Sequence, residues 1–294
     1  MTRALTPRKR PNPLVDAEHP ARPTPLGSVV MIAILTVLAL LTLIPLYWMF
    51  STAFTSSALT VKFPPELFPS EPTLQNFREI VQRENFWRWV WNTTVLAVVV
   101  TVFELLLASM AGYAFAKIPF AGRTPLFWAY IVAMMLPFQV ILVPLFIMSS
   151  KLGMIDSYAG LILPALASPY SVFLMKQFIQ TLPSELIDAA RVDGAHEFKI
   201  FWSIILPLIK PGLAFLGIIT FIAQWNSFLW PLIITRSAEM RTLQVGLVLL
   251  REEVPLSYGL HMAGAVLAAL PIIAVFFASQ KYFLRGVTVG AVKG

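Results

Sequence analysis

The stretch from Leu182 to Pro207 reads LPSELIDAARVDGAHEFKIFWSIILP and is too polar to lie in a lipid bilayer, although a long apolar run stands on each side of it. Pro183 and Ser184 favour a helix start, and Asp193-Gly194 predicts a turn because glycine tolerates a positive φ. After the turn, apolar side chains repeat at helical spacing, at Phe198, Phe201, Trp202 and Ile205. The stretch therefore predicts two short helices joined at a sharp bend.

The apolar runs on either side of this stretch predict a helical membrane protein. Of the 294 residues, 57% are hydrophobic and 13% are charged, and the mean hydropathy of +0.75 is too high for an ordinary soluble domain. Six runs reach the roughly 18 to 20 residues that a helix needs to cross a bilayer. These runs are Val29–Phe50, Val95–Phe115, Leu126–Met148, Tyr158–Gln177, Ile204–Ala223 and Met262–Phe283. The predicted fold class is all-α, with six transmembrane helices.

The charged residues predict the orientation and exclude other classes. Lys and Arg are concentrated in segments 1–27, 117–123, 176–210 and 281–294, so the positive-inside rule predicts that both termini are cytoplasmic. The net charge of +7 does not indicate nucleic-acid binding, because the basic residues are scattered between apolar runs and form no patch. Cysteine is absent, which excludes disulfides and thiolate metal sites.

Two external segments are expected from this orientation. In the first, Leu74, Phe77, Ile80 and Val81 have helical spacing, and Trp87, Trp89 and Trp91 stand directly before the second span. These patterns predict an interfacial helix and an aromatic belt at the membrane surface. The second external segment, from about Trp230 to Leu260, is interpreted either as packing cover or as a contact for an outside partner.

Polar side chains within the spans are candidates for a transport path, because an uncompensated polar group in lipid is costly. They are Glu104, Gln139, Ser168, Tyr170, Ser171, Gln224, Asn226 and Ser227. Trp225 joins them, since an aromatic face beside an amide suits a sugar. Hydrogen bonding or packing between helices is the alternative role for each of them. Prolines at positions 137, 144, 164 and 169 predict kinks that belong in the interior of a bundle.

The polar stretch is interpreted as a docking knob. Small Ala189 and Ala190 stand beside Asp188 and Arg191, so the bend could enter a groove on another protein and be held there by charge pairs. A solvated connecting loop is the alternative, but it would not account for the apolar stripe and the glycine turn.

The same residues resemble the EAA loop of binding-protein-dependent ABC importer permeases. That pattern is E-A-A, three residues, G, nine residues, then I-x-L-P, and here it reads Asp188-Ala189-Ala190, Gly194 and Ile204-Ile205-Leu206-Pro207. Asp188 departs from the usual Glu and has one methylene less reach. The resemblance implies contact with an ATPase subunit through Glu185, Asp188, Ala189, Ala190, Arg191, Asp193, Gly194, Phe198 and Pro207.

Further motifs are similar to those of the maltose-type sugar permeases. They are Pro45–Trp48, Ala111–Ala116, Gln224–Pro231 and the terminal Gly290–Gly294. This resemblance implies a type I importer permease in a bacterial or archaeal cytoplasmic membrane. It also implies a second permease subunit, two ATPase subunits, an external solute-binding protein and a sugar substrate.

The implied division of the chain follows these motifs. Residues 1–27 are expected to be a disordered cytoplasmic tail, and 28–89 the first transmembrane helix with its external segment. Residues 90–284 would form the permease core with the coupling loop at 182–207, and 285–294 a cytoplasmic C-terminal tail.

The chain is expected not to be an enzyme and to carry no cofactor. It lacks G-x-x-x-x-G-K-[ST], so partner subunits would bind ATP and Mg²⁺. A secondary transporter driven through Glu104 is a second class, but no repeated halves are evident. An intramembrane enzyme is a third class, but no H-E-x-x-H motif or Cys-His pair is present.

Overall fold

A computed structural model describes residues 25–55, 68–255 and 257–291, and nearly all regular structure in these ranges is helical. The all-α prediction is therefore confirmed. The predicted disordered tail lies almost wholly outside the described residues. The described part divides into two units, residues 25–48 and residues from 49 onward.

From α2 onward the helices follow one another with short connections. They are α1 (Pro25–Ala53), α2 (Gln75–Gln82), α3 (Phe86–Lys117), α4 (Arg123–Met135), α5 (Phe138–Lys151), α6 (Tyr158–Ile162), α7 (Pro169–Gln180), α8 (Glu185–Val192), α9 (Glu197–Ile200), α10 (Leu206–Leu208), α11 (Lys210–Trp225), α12 (Leu229–Ile234), α13 (Leu243–Glu253) and α14 (Tyr258–Ala291). A short 3₁₀ segment, Leu163–Leu166, follows α6, and a π-helical segment, Phe201–Ile205, joins α9 to α10.

Three of the described helices are long and apolar enough to cross a membrane unbroken: residues Leu26–Ala53, Phe86–Lys117 and Tyr258–Gln280. The other predicted spans are bent pairs, so the total reaches six only if each pair counts as one span. The bends are 101° between α4 and α5, 42° before α7, and 78° between α10 and α11. The predicted spans Leu126–Met148, Tyr158–Gln177 and Ile204–Ala223 thus each correspond to a bent pair of helices and not to one unbroken helix.

Prolines account for the positions of two of these bends. Leu136 and Ser168 precede Pro137 and Pro169, and both have extended backbone because a proline ring disfavours helical geometry in the residue before it. Pro144, in contrast, lies inside α5 without a break. The predicted kinks are thus found at two of the four prolines, where a new helix begins directly after the bend.

Helix α3 forms the centre of the bundle and packs along α7 and α11. The contact with α7 is close because of Gly112: a Cβ atom built there would lie 2.8 Å from the backbone N of Lys176. One apolar cluster surrounds this contact and includes Tyr113, Met175 and Leu216. The C-terminal end of α3 also contacts the polar stretch 182–207. Helix α3 therefore connects that stretch to α7 and α11.

The segment that contains α2, which the sequence predicts to be external, packs more deeply than an interfacial helix would. Ile80 of α2 is fully buried in the core, and the Asn76 side chain donates to the carbonyls of Ala53 and Thr55. The predicted aromatic belt is split: Trp87 and Trp91 are exposed, but Trp89 is buried and donates to the Ala238 carbonyl at 2.8 Å. The predicted belt role of Trp89 is wrong, because Trp89 faces the bundle and not the lipid.

Candidate functional site

The polar stretch folds as two short helices, α8 and α9, joined by a glycine turn as the sequence predicted. Gly194 has φ +78°, a conformation that L-residues with a side chain rarely adopt. Its N–H donates to the Arg191 carbonyl at 3.0 Å, and the Ala195 N–H donates to the Ala190 carbonyl at 2.9 Å. These two bonds are the Schellman pattern that closes a helix end. The glycine therefore fixes the angle at which α8 turns into α9.

One face of this elbow, residues 185–205, is buried against the bundle. Ile187, Ile200, Phe201 and Ile205 are almost inaccessible and belong to the same cluster as Tyr113. Burying such side chains stabilises a packed position by about 1.5–3 kcal/mol each. The four residues of the predicted apolar stripe thus lie on two different faces of the elbow. Phe201 and Ile205 pack against the bundle and hold the elbow in place, whereas Phe198 and Trp202 point outward.

The opposite face of the elbow is an exposed surface of mixed character. Val192 is 88% exposed, and Leu186, Phe198 and Trp202 are also exposed. The acidic residues on this face, Glu185, Asp188 and Asp193, lie in solvent as well. Ala189 is exposed beside them, whereas Ala190 and Arg191 are half-buried and Pro207 is exposed at the far end. Exposed apolar side chains rimmed by charges are typical of a protein interaction surface.

Polar side chains at the end of α3 tie the elbow to the bundle. Lys117 Nζ donates to the Leu182 carbonyl at 2.6 Å and to Ser184 Oγ at 3.1 Å. Tyr113 donates its hydroxyl to Glu197 Oε2 at 2.5 Å, and Arg191 Nε donates to the other oxygen of Glu197 at 2.8 Å. Both helices of the elbow are therefore fastened to one transmembrane helix.

Sequence reasoning did not assign roles to Tyr113, Lys117 and Glu197. Tyr113 and Lys117 stand near the end of an apolar run, with Tyr113 inside the motif Ala111–Ala116, and Glu197 is the first residue of α9. Arg191 also reaches Asp188 at 3.2 Å, so its two carboxylate partners lie on either side of the turn. A basic residue flanked by acids across a predicted bend is the signal that could have found this network.

A cavity of about 750 Å³ lies between the ends of several helices. Its lining is mainly apolar, with five polar residues: Gln139, Ser168, Tyr170, Gln224 and Ser227. These are five of the sequence-predicted path candidates, and the bends before α5 and α7 bring them together. A mostly apolar cavity with a few polar groups is the usual form of a small-molecule site.

Other path candidates lie outside this cavity. Glu104 is buried in α3 and accepts a hydrogen bond from the hydroxyl of Ser171 on α7, which in turn contacts Ser168 Oγ at 2.9 Å. Glu104 thus joins two helices, the alternative that the sequence left open. Trp225 is buried and donates its Nε1–H to the Ala268 carbonyl at 2.9 Å, and Asn226 is exposed at the end of α11.

The segment between α11 and α14 is fastened to the opposite end of α3 from the elbow. Asn92 donates to the carbonyls of Glu239 and Arg241 at 2.7 and 2.9 Å, and the carboxylate of Asp156 accepts from the backbone N–H groups of Arg236 and Ser237. Burial opposes ionisation of Asp156, but these N–H donors outweigh it and lower its pKa. The segment is therefore held in a defined position on the bundle.

Among the described residues, no group of three or more His, Asp or Glu side chains could hold a metal ion.

Comparison with known proteins gives a consistent assignment. The profile of the family described as "Binding-protein-dependent transport system inner membrane component" matches residues 104–289. The chain is 40% identical to the arabinooligosaccharides transport system permease protein AraQ of Halalkalibacterium halodurans over 264 residues, which cover 90% of this chain and 93% of that one. It is 35% identical to the sn-glycerol-3-phosphate transport system permease protein UgpE of Brucella abortus, covering 82% and 89%.

The fold is similar to that of solved transporter chains. A chain from a bacterial ABC transporter involved in the import of the acidic polysaccharide alginate superimposes with a TM-score of 0.78 at 24% identity, covering 88% of this chain and 96% of that one. A second chain, from the bacterial alginate transporter in complex with an alginate pentasaccharide-bound periplasmic protein, gives a TM-score of 0.60 at 17% identity, covering 85% and 92%.

Proposed function

Because this chain belongs to the family of binding-protein-dependent transport system inner membrane components, we propose that it is a permease subunit of an ATP-driven importer for sugars. In this proposal it forms the pore with a second permease subunit. Two cytoplasmic ATPase subunits supply the energy, and an external solute-binding protein delivers the substrate. Both termini and the elbow lie in the cytoplasm of a bacterial or archaeal cell.

The observation that carries this proposal is the two-faced elbow. Its inner face is packed and hydrogen-bonded to α3, so it cannot move without moving a transmembrane helix. Its outer face presents Leu186, Val192, Phe198 and Trp202 among acidic side chains, which suits a groove on another protein. A connecting loop without a partner would not need such an apolar face.

In the proposed mechanism the elbow is a lever. Closure of the ATPase dimer on ATP displaces the outer face, and the contacts of Tyr113 and Lys117 pass the displacement to α3. Since α3 packs on α7 and α11, the bundle changes between an outward-open and an inward-open arrangement as packed units and not by local unfolding. The chain itself contributes no step of ATP hydrolysis.

The proposed sugar path runs through the cavity near α5, α7 and α11. Gln139 and Gln224 offer amide donors and acceptors for sugar hydroxyls, and Tyr170 offers an exposed ring against which a sugar can stack. Relatives named for arabinooligosaccharides and for sn-glycerol-3-phosphate support a polyhydroxylated substrate. We favour an oligosaccharide, because the identity to the former relative is higher and extends over more of the chain.

The experiment that tests the proposal is uptake into proteoliposomes that contain the assembled transporter with its binding protein. We expect arabinooligosaccharide uptake to require ATP inside the vesicle. Replacing Gln224 by alanine should lower the uptake rate at a given substrate concentration, whereas Ala223→Ser, an exposed neighbour outside the cavity lining, should not. Uptake that persists without ATP and is abolished by a protonophore would instead identify a secondary transporter.

A further inference from the structure

A second pocket lies at the elbow end of the bundle, between the end of α3, the start of α4 and the end of α7. Its volume is about 320 Å³, at the lower end of the roughly 300–1,000 Å³ that is usual for small-molecule sites. Its lining combines aromatic rings with two basic residues, Arg123 and Lys176. It shares no lining residue with the cavity assigned to the sugar path.

The two basic residues of this pocket are not neutralised within the described residues. Lys176 Nζ lies 4.3 Å from the centre of the Phe127 ring, and Arg123 Nη1 makes a long hydrogen bond of 3.5 Å to the Ile118 carbonyl. Neither side chain takes part in the ion pairs found in the described part of the chain. Most of the guanidinium N–H donors are therefore available to an anion, together with the exposed Thr124 and Gln180.

The surroundings of the pocket indicate that it faces lipid at the membrane surface. Trp128, in the wall of the pocket, is 61% exposed, and Leu126 beside it on α4 is also exposed. An exposed tryptophan next to basic residues is typical of the level of the headgroups. Phe115 and Ala116 of the lining directly precede Lys117, which binds the elbow, so the pocket and the elbow lie at the same end of the bundle.

From these observations we infer that the pocket binds the phosphate of an anionic phospholipid. The phosphate lies between Arg123 and Lys176, and the acyl chains run along the exposed apolar side of α4 past Leu126 and Trp128. That this lipid belongs to the cytoplasmic leaflet rests on the orientation in the proposed function. A soluble anion would gain nothing from the apolar side chains at the pocket mouth, whereas a lipid contacts both parts.

A bound phosphate would connect α4 to α7, because Arg123 belongs to the former helix and Lys176 to the latter. Helix α4 ends at the 101° bend and α7 begins after the 42° bend, and residues at both bends line the sugar cavity at the far ends of these two helices. The inferred lipid is therefore a structural ligand that holds the elbow end of the bundle together while the lever moves.

The test is native mass spectrometry of the full-length chain in detergent, titrated with phosphatidylglycerol, with phosphatidylcholine and with inorganic phosphate. The test variant is Arg123→Gln with Lys176→Gln. We expect it to lose roughly 30-fold in affinity for phosphatidylglycerol, since each basic residue near an anionic lipid contributes about fivefold. The wild-type chain should retain phosphatidylglycerol and should not retain phosphatidylcholine.

Two matched variants control for charge and folding. Arg78→Gln with Lys210→Gln removes the same net charge from exposed positions outside the pocket and should bind phosphatidylglycerol as the wild type does. Exchanging the two cations, Arg123→Lys with Lys176→Arg, should restore most of the binding that the glutamine pair loses.

Several outcomes would overturn the inference. Equal phosphatidylglycerol binding by all variants would show that the lipid does not bind in this pocket. Competition by inorganic phosphate at matched concentration would show that the pocket binds any small anion and is not specific for a lipid. Retention by the isolated chain but not by the assembled transporter would assign the pocket to the second permease. Since the assay involves neither ATP nor sugar, its result is independent of whether the chain imports sugars.

Discussion

Replacing Gly194 by valine should uncouple ATP hydrolysis from transport without preventing membrane insertion. Gly194 has φ +78°, and a Cβ atom built there meets nothing within 4 Å. The substitution therefore adds no clash, and its cost comes only from the backbone conformation. For an L-residue the left-handed region costs about 1–2 kcal/mol, and a β-branched residue lies at the upper end of that range.

This cost has a direct consequence for the lever. A change of about 1–2 kcal/mol shifts an equilibrium roughly 5- to 30-fold, here between the observed bend and other arrangements of α8 relative to α9. The packed residues Ile187 and Ile200 still hold each helix on the bundle, so the chain should remain folded. We expect sugar uptake per ATP hydrolysed to fall by up to that factor, because the outer face no longer keeps its angle.

The assay measures uptake and ATP hydrolysis in the same proteoliposomes. Gly153→Val is the matched control, since Gly153 also has a positive φ (+68°) and also meets nothing within 4 Å, but lies outside the elbow. Gly194→Asn is the milder variant, because asparagine tolerates the left-handed region, and it should retain most of the coupling. Full uptake per ATP by Gly194→Val at normal expression would refute the lever reasoning.

Three further predictions concern the contacts of the bundle. Tyr113→Phe removes the hydrogen bond to Glu197 and should lower the unfolding free energy by about 1 kcal/mol. Uptake per ATP hydrolysed should also fall in the same vesicles. Unchanged uptake per ATP would argue against a rigid connection between α3 and the elbow. Gly112→Val should destabilise the chain by about 1–3 kcal/mol or more, because the larger side chain separates α3 from α7. The loss should appear as a lower melting temperature in detergent. Ala223→Val, on an exposed face, should have little effect on the melting temperature. Asp156→Asn should be about 1 kcal/mol less stable than the wild type at neutral pH. Because the pKa of Asp156 is lowered in the folded state, the stability that its carboxylate contributes is fully present above the unfolded pKa and is lost as pH falls through the folded pKa. The stability difference between wild type and Asp156→Asn should therefore shrink below about pH 4. A difference that stays the same down to about pH 3 would contradict this role of Asp156.

The fold and the elbow could be predicted from the sequence to different degrees. Long apolar runs determine which segments are helical, and the residue pair Asp193-Gly194 determines where the elbow turns, because both signals are local. The bends of 101° and 78° could not be predicted from apolar length alone. They depend on how each helix packs after a proline or an irregular turn, which is a property of the whole bundle.

The contacts of the site depend on distant parts of the chain. Tyr113 and Glu197 are 84 positions apart, and Trp89 and Ala238 are 149 positions apart. Nothing within a single segment indicates such pairs, so Trp89 was predicted at the membrane surface although it is buried. The path candidates show the same limit: composition selects polar residues in spans, but only the packing separates Gln139, which lines the cavity, from Glu104, which joins two helices.

In the proposed function the outer face of the elbow lies in the cytoplasm against an ATPase subunit. The chain has no cysteine, so Val192→Cys introduces a unique thiol at a position that is 88% exposed. We expect an impermeant maleimide to label this thiol in inside-out vesicles and not in right-side-out ones, and we expect the assembled ATPase subunits to block the labelling. Labelling from the outer side of the membrane, or equal labelling with and without the ATPase subunits, would contradict it.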